Sequence, residues 1–314
     1  MTANPPRLVT VIGPTAVGKT ALSLELAQQL DGEIVSADSR QIYRGMDIGT
    51  AKATPAEQAR APHHLLDVVP PDGELTLAHF RQLADEAIRS IWARDRAPLL
   101  VGGTGQWVWA LLEGWTVPEV PPNRALRQAL AARAASEGHH ALHLELAAVD
   151  PVAAAQIDAR NVRRVIRALE VHHVTGKPIS ALQRKDPPDY GVFIIGLTMP
   201  REMLYERIDR RVDGMIAAGL VDEVRELLQQ GYDEQLPSMS GLGYRQIAQY
   251  LCGECSLDEA TALIKRDTRR FVRQQYNWFR PRDVRINWYD VTTWDSSALQ
   301  QRVARFMATG HDAP

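Results

Sequence analysis

Residues 13 to 20 read Gly13-Pro14-Thr15-Ala16-Val17-Gly18-Lys19-Thr20, a glycine, four residues, then Gly-Lys-Thr. This is the spacing of a phosphate-binding loop, and each part has a chemical reason. The glycines let the backbone turn tightly and carry its N–H groups to phosphate oxygens; Lys19 adds a point charge, and the Thr20 hydroxyl is placed to hold a magnesium ion. A diphosphate and a triphosphate satisfy the pattern equally. Two further groups stand at the ends of apolar runs, where an open parallel sheet collects its ligand residues. They are the carboxylate of Asp38, in Asp38-Ser39-Arg40-Gln41, and the hydroxyl of Thr104, in Gly102-Gly103-Thr104-Gly105. From position alone Asp38 is equally a helix cap or a turn residue, and the glycines around Thr104 permit close approach of a ligand.

Such residues need a sheet to hold them. The apolar runs at 8–12, 33–37, 63–69, 97–101 and 192–197 predict five strands, the last continuous enough to be buried on both faces. A helix is predicted directly behind the phosphate loop, with its N-terminus facing the anion. Others are predicted over 76–94, over 201–211 and on to Gln230, and over 257–279 as the last helix. Trp288 and Tyr289 suggest one more short strand. The glycine-punctuated stretch 43–52 reads as a long loop of the kind that is usually functional. His63 and His64 are adjacent on a strand and point to opposite faces, which argues against a shared metal ion.

Between the prolines at 118–122 and those at 187–188 the chain is alanine-rich and helical, with no strand candidate. The expectation is an α/β protein: a phosphate-loop core with a mostly parallel sheet flanked by helices, formed by 1–117 and 188–314, with an all-helical domain inserted at 118–187. Inside the insertion Arg160, Arg163, Arg164 and Arg167 follow i, i+3, i+4, i+7, opposite Val162, Val165, Ile166 and Leu169. A second stripe, Lys265, Arg266, Arg269, Arg270 and Arg273, lies opposite Ile264, Phe271, Trp278 and Phe279. Arginine's planar fork suits phosphodiesters, so these stripes predict anion or nucleic-acid contact.

The whole chain carries a net charge of only −2, so polyanion binding must come from such local patches and not from the global field. Hydrophobic content of 45% and charged content of 24% are those of a soluble globular protein. Two cysteines make no disulfide framework, and Cys252-Gly253-Glu254-Cys255, lacking a second pair, reads as incidental. With no apolar leader at Met1 to Pro6 and no apolar run of membrane length, a cytoplasmic location without membrane association is expected. The tail beyond Gly310 is expected to fray, and a monomer is the working expectation.

Taken together, the phosphate loop, the run from Asp38 through Gly45-Met46-Asp47-Ile48-Gly49-Thr50-Ala51-Lys52, Pro62-His63-His64-Leu65-Leu66-Asp67 and Gly102-Gly103-Thr104-Gly105 resemble the bacterial tRNA dimethylallyltransferase family. So do Arg167-Ala168-Leu169-Glu170-Val171, Thr175-Gly176-Lys177-Pro178, Gly243-Tyr244-Arg245-Gln246 and the segment from Thr268-Arg269-Arg270 to Trp278-Phe279-Arg280. The resemblance spans nearly the whole chain in order.

It implies transfer of a dimethylallyl group from dimethylallyl diphosphate to the N6 amine of the adenine 3' to the anticodon, with magnesium. Residues Gly13 to Thr20 would then hold a diphosphate leaving group. Lys19, Thr20 with the metal, and Arg211 would neutralise its charge, Thr104 would bond the bridging oxygen, and Asp38 would act as general base. Ser39, Arg40, Gln41, Gly243, Tyr244 and Arg245 would position the base. Arg127, Arg163, Arg164, Arg167, Arg269 and Arg273 would contact the anticodon stem-loop. The chain departs from the family pattern at Gln106-Trp107, where Leu-Tyr is usual, at Asp158-Ala159-Arg160-Asn161, and at Ser240. The first departure predicts an altered wall beside Thr104. Two other readings use the same loop: a phosphate-loop kinase, which leaves both arginine stripes unexplained, and a nucleotide-switched RNA-binding protein, which predicts tRNA binding without product.

Overall fold

A computed structural model describes residues 5–116, 118 and 120–310. The readings that fall on Met1 to Asn4, on Val117 and Glu119 within the proline-rich break, and on the tail beyond Gly310 lie outside the described residues. The chain forms two units, Met1–Trp109 with Asp189–Pro314, and Ala110–Pro188. The first boundary therefore precedes the prolines and falls inside a helix.

In the first unit, β1 (Arg7–Ile12) is buried at all six positions, which the β-branched run Val9-Thr10-Val11-Ile12 suits. The phosphate loop leads to α1 (Lys19–Gln29), then β2 (Gly32–Ser36), the single turn α2 (Pro55–Gln58) and β3 (His63–His64). Next come α3 (Leu77–Ala93), capped by Thr76, β4 (Ala97–Gly102) and α4 (Gly105–Leu112). After the second unit the chain returns as β5 (Gly191–Thr198), which pairs with β1. The helical segment is therefore an insertion into the sheet unit. The sheet has six strands, all parallel, in the order β3-β2-β4-β1-β5-β6. Because every ladder is parallel, the ends of β1, β2 and β4 open on one edge, and the ligand crevice of such sheets lies there.

Two expectations for this unit are corrected. The predicted strand 63–69 pairs only at His63 and His64, because Leu65 (φ 64°) and Asp67 (φ 55°) turn left-handed. The buried Lys52 ammonium holds that turn by bonding Asp67 and the Tyr43 carbonyl. The helix over 257–279 is also not the last. β6 (Ile286–Asp290) is followed by α14 (Ser296–Thr309), capped by Asp295, which buries Leu299, Val303 and Phe306 at i, i+4, i+7.

The second unit, entered along α4, holds α5 (Arg124–Glu137), α6 (His139–Val149), α7 (Pro151–Gln156), α8 (Val162–Thr175) and α9 (Ile179–Leu182). They close around Leu130, Leu142, Leu146, Val165, Leu169 and Val171. Its entering and leaving segments run side by side, with Thr116 N–H donating to Arg184 O at 2.8 Å and Asp186 N–H to Gly114 O at 3.0 Å. Glu170 is fully buried here, accepting from Arg127, Arg167 and the Asn123 N–H. Burial alone would raise this carboxyl; the two guanidiniums and the backbone donor outweigh it and hold it down to about 2.

Candidate active site

The phosphate loop departs from β1 and enters α1 through Gly18 at φ 111°, a conformation that costs glycine nothing and other residues a good deal. No side chain caps α1, so its first amides are left for an anion, with the positive end of the helix dipole behind them. The Lys19 ammonium donates to the carbonyls of Gly13 (2.9 Å) and Pro14 (2.8 Å). Burial lowers its pKa to about 8, against the opposing pull of Asp38 and with a further push from Arg211.

The residues behind β2 and β4 arrive beside this loop as a connected pair. The ladder continues past the strands, with Ala37 N–H donating to Val101 O (2.8 Å) and Thr104 N–H to Ala37 O (3.3 Å). The Thr104 hydroxyl then accepts from Ser39 N–H at 3.0 Å, and Asp38 accepts from Arg40 N–H at 2.9 Å. Asp38 and Thr104 are thus fixed side by side by backbone bonds. Both readings of Asp38 hold at once: one oxygen closes a turn, and the carboxylate still lines the crevice.

Two cavities meet at this point. One, about 430 Å³, is lined by Gly18, Lys19, Thr20, Gln41, Glu57 and Arg207. The other, about 450 Å³, runs past Ser39, Arg40, Thr104 and Gln106 to the apolar side chains of Ile208, Val212, Met215, Ile264, Phe271 and Trp278. Thr15, Asp38, Thr50 and Arg211 line both. Arg211 comes from α10 (Arg201–Ala217), the helix behind β5. Burial lowers the pKa of its guanidinium and Asp38 raises it again. An anion in the first cavity would face Lys19, Arg207 and Arg211, while a flat or apolar group in the second would end against Asp38 and Thr104. The chemistry of the site is therefore charge at one end, hydrocarbon at the other, and a carboxylate at the junction. Thr20 and Asp38 line the charged cavity together, a hydroxyl and a carboxylate of the kind that hold magnesium beside substrate phosphates.

The remaining site predictions divide. Ser39 lines the cavity, but Arg40 reaches the Pro237 carbonyl at 2.6 Å. The Gln41 amide is engaged at both ends, accepting from Ser36 and donating to Ala51 O at 3.0 Å. Both shape the loop walls. α11 (Leu220–Gln229) supplies Glu223, which accepts from the N–H groups of Asp47, Ile48 and Gly49 and from the Tyr244 hydroxyl. Gly243 and Tyr244 open α12 (Tyr244–Leu251). The Tyr244 ring is buried, and burial and Glu223 push its phenol far above the ordinary range. Arg245 is exposed and pairs with Asp267.

α13 (Leu257–Trp278) presents Ile264, Thr268, Phe271, Gln275 and Trp278 to the cavity. Phe271 and Trp278 stand on the apolar stripe, yet they are 37% and 42% exposed. On the basic side Lys265 pairs with Asp213 and Arg269 with Asp209, both acids of α10, and Arg269 also lies over the Tyr205 ring. Arg270 and Arg273 remain exposed. Trp107 does not alter the wall beside Thr104: it stacks on Phe80 in the core at 4.0 Å, and only Gln106 faces the cavity.

The stripe in the second unit is also narrower than its spacing suggests. Arg160 precedes α8 and pairs with Asp158; Arg167 and Arg127 hold the buried Glu170. Arg163 and Arg164 are the exposed pair. Glu170 lies three residues after Arg167, and that i, i+3 spacing already carried a signal for their pairing; Asp158, two residues before Arg160, pairs ahead of the helix.

Gln275 and Glu223 were missed. Gln275 carried a signal, a glutamine on the apolar stripe of an amphipathic helix; Glu223 carried none.

A family model described as IPP transferase matches residues 41–282. A curated tRNA dimethylallyltransferase from Roseiflexus sp. strain RS-1 is 54% identical over 98% of this chain and 99% of that protein. Another from Herpetosiphon aurantiacus is 55% identical over 91% of each. Among solved structures, the full-length tRNA isopentenylpyrophosphate transferase of Bacillus halodurans is 42% identical with a TM-score of 0.70, each chain covered to 96%. A eukaryotic dimethylallyltransferase acting on tRNA has a TM-score of 0.78 at 23% identity, covering 97% of this chain and 80% of its own, a likeness of fold. Matched by that model over most of its length and by these relatives over nearly all of it, the chain belongs to the IPP transferase family of tRNA dimethylallyltransferases.

Proposed function

We propose that this protein transfers the dimethylallyl group of dimethylallyl diphosphate to the N6 amine of the adenine 3' to the anticodon, at tRNA position 37. The products are N6-dimethylallyladenosine in the tRNA and free diphosphate. The observation that carries this reading is the meeting of a charged and an apolar cavity at Asp38 and Arg211. A kinase needs no apolar chamber behind its phosphate site; a prenyl donor needs both.

The diphosphate lies against the amides of the phosphate loop, Lys19, Arg207 and Arg211. Its allyl group extends into the larger cavity toward the side chains from α10 and α13. As the allylic C–O bond breaks, negative charge grows on the leaving oxygen, and Lys19 and Arg211 stabilise it more strongly than in the ground state. The Thr104 hydroxyl accepts from Ser39 N–H and donates to the Ser39 hydroxyl at 3.3 Å, a long bond that it exchanges for one to the bridging oxygen. The adenine leaves its stack, at about a few kcal/mol, and enters past Phe271 and Trp278. Its N6 lone pair forms the new bond to the allylic carbon, and the Asp38 carboxylate takes the proton that N6 must lose. Thr20 would hold magnesium, which would screen the diphosphate charge. Exposed Arg163, Arg164, Arg270 and Arg273 meet the phosphates of the anticodon stem-loop. This substrate implies a cytoplasmic enzyme.

The test replaces Asp38 by Ala. With labelled dimethylallyl diphosphate, magnesium and bulk tRNA, the unaltered protein labels the tRNA and the variant loses about 10²-fold or more in rate. Its tRNA affinity stays within about twofold, since Asp38 touches no phosphate. Survival of transfer in the variant would remove Asp38 from its role.

A further inference from the structure

Gln275 lies on the cavity face of α13, 4% exposed, with both ends of its side-chain amide engaged. Its oxygen accepts from the N–H of Thr15, inside the phosphate loop, at 2.9 Å. Its nitrogen donates to the carbonyl of Gly103 at 3.1 Å. Gly103 directly precedes Thr104, and a Cβ on Gly103 would stand 2.4 Å from the Gln275 nitrogen, so the glycine is what lets the amide in. The ends of β1 and β4 are thus spanned by one side chain from a third element. The β-ladder fixes Thr104 to Asp38, but no ladder bond reaches the middle of the phosphate loop. The spacing between the leaving-group cradle and the Thr104–Asp38 pair therefore depends on Gln275. The same amide removes the Thr15 N–H from the set of donors free to meet phosphate.

We infer that Gln275 is a positioning residue for the transfer, holding the phosphate loop at the distance from Thr104 that a bound diphosphate requires. The inference rests on the prenyl-transfer reading of this site and adds a residue to it. A glutamine suits the task because it offers one acceptor and two donors on a planar group. Methionine fills similar volume with neither, and glutamate keeps the acceptor while losing the donor to Gly103.

The experiment compares the unaltered protein with Gln275→Met, Gly103→Ala, Gln275→Ala and the double variant Gly103→Ala/Gln275→Ala. It reads binding of inorganic diphosphate with magnesium, binding of tRNA, and kcat and KM for transfer. Gln275→Met is expected to weaken diphosphate binding about three- to tenfold, the value of a lost hydrogen bond. It should lower kcat by about tenfold or more, as misplacement of reacting groups does, with tRNA affinity within about twofold. Gly103→Ala should reproduce the loss by displacing the amide. Added to Gln275→Ala it should cost little more, a non-additive pair. Retention of diphosphate affinity and kcat within about twofold by folded Gln275→Met would overturn the inference. So would full additivity of the Gly103 and Gln275 changes, which remains readable if Gln275→Met fails to fold. Absence of transfer by the unaltered protein would count against the prenyl-transfer reading instead, and the diphosphate titration, which needs no tRNA, still decides whether Gln275 holds the loop.

Discussion

Asp38 stands between two cations, Lys19 and Arg211, each of which it helps to keep charged. The lysine is the more easily moved. Its pKa lies near 8 in the ligand-free site because burial disfavours the charged form; a bound diphosphate supplies the missing counter-charge and raises it. Binding at pH 8 to 9 should therefore take up a proton, and affinity should fall as pH rises through that window. Calorimetry in buffers of different ionisation enthalpy reads the proton directly. A titration with no proton uptake would mean that Lys19 is fully charged beforehand. Replacing Arg211 by Lys keeps a charge and loses the planar fork, so kcat should fall by about tenfold or more with tRNA affinity unchanged. At this scale Gly13 to Thr20, Asp38 and Thr104 were legible because each sits at the end of a strand in a known spacing. Gln41 and Arg40 line the cavities, and local composition does not reveal that each also bonds a neighbouring loop, Gln41 at the Ala51 carbonyl and Arg40 at the Pro237 carbonyl.

The elements explain why the arginine stripes shrink in the folded protein. Two of the five residues of the α13 stripe form an antiparallel ladder of ion pairs to α10, Lys265 to Asp213 and Arg269 to Asp209. Helical periodicity identifies the face but cannot say which neighbour it meets. Likewise Phe271 and Trp278 sit on the expected apolar side of α13, and that side borders a cavity. Arg163→Ala and Arg164→Ala should each weaken tRNA binding. Each should also reduce the slope of log affinity against log salt by about one unit for every phosphate the side chain had neutralised. A salt slope unchanged in both would mean that α8 touches no phosphate. The 47–49 turn depends on Glu223, whose carboxylate accepts from three successive amides and Tyr244. Glu223→Gln presents an amide donor to some of those donors. We expect it to lower unfolding free energy by about 1.5–3 kcal/mol in urea melts, with a stability equal to the parent arguing against this clamp.

Across the whole molecule, the sheet, the return of the chain beside β1 and the inserted helices follow from apolar runs and prolines. Less was legible where the signal is short: α12 and α14 have a few turns each, and β3 is cut to two residues by left-handed turns. The inserted unit carries its own acid sensitivity. Glu170, ordinarily near 4.5 and held near 2 when folded, contributes stability that is full above about 4.5 and lost as pH falls through about 2. Glu170→Gln should flatten that dependence. Arg167→Ala should destabilise the unit by about 2–3 kcal/mol, toward the low end for buried pairs because Arg127 still reaches the carboxylate. Hydrogen exchange of α5 and α8 at pH 6 and pH 3 reads both.

Whether the phosphate loop cradles a prenyl leaving group is decided by incubating the protein with labelled dimethylallyl diphosphate, magnesium and bulk tRNA and digesting the tRNA to nucleosides. The expected result is label in N6-dimethylallyladenosine and release of one diphosphate per nucleoside formed. Unmodified adenosine throughout, with phosphoryl transfer in a parallel incubation supplied with ATP, would contradict it.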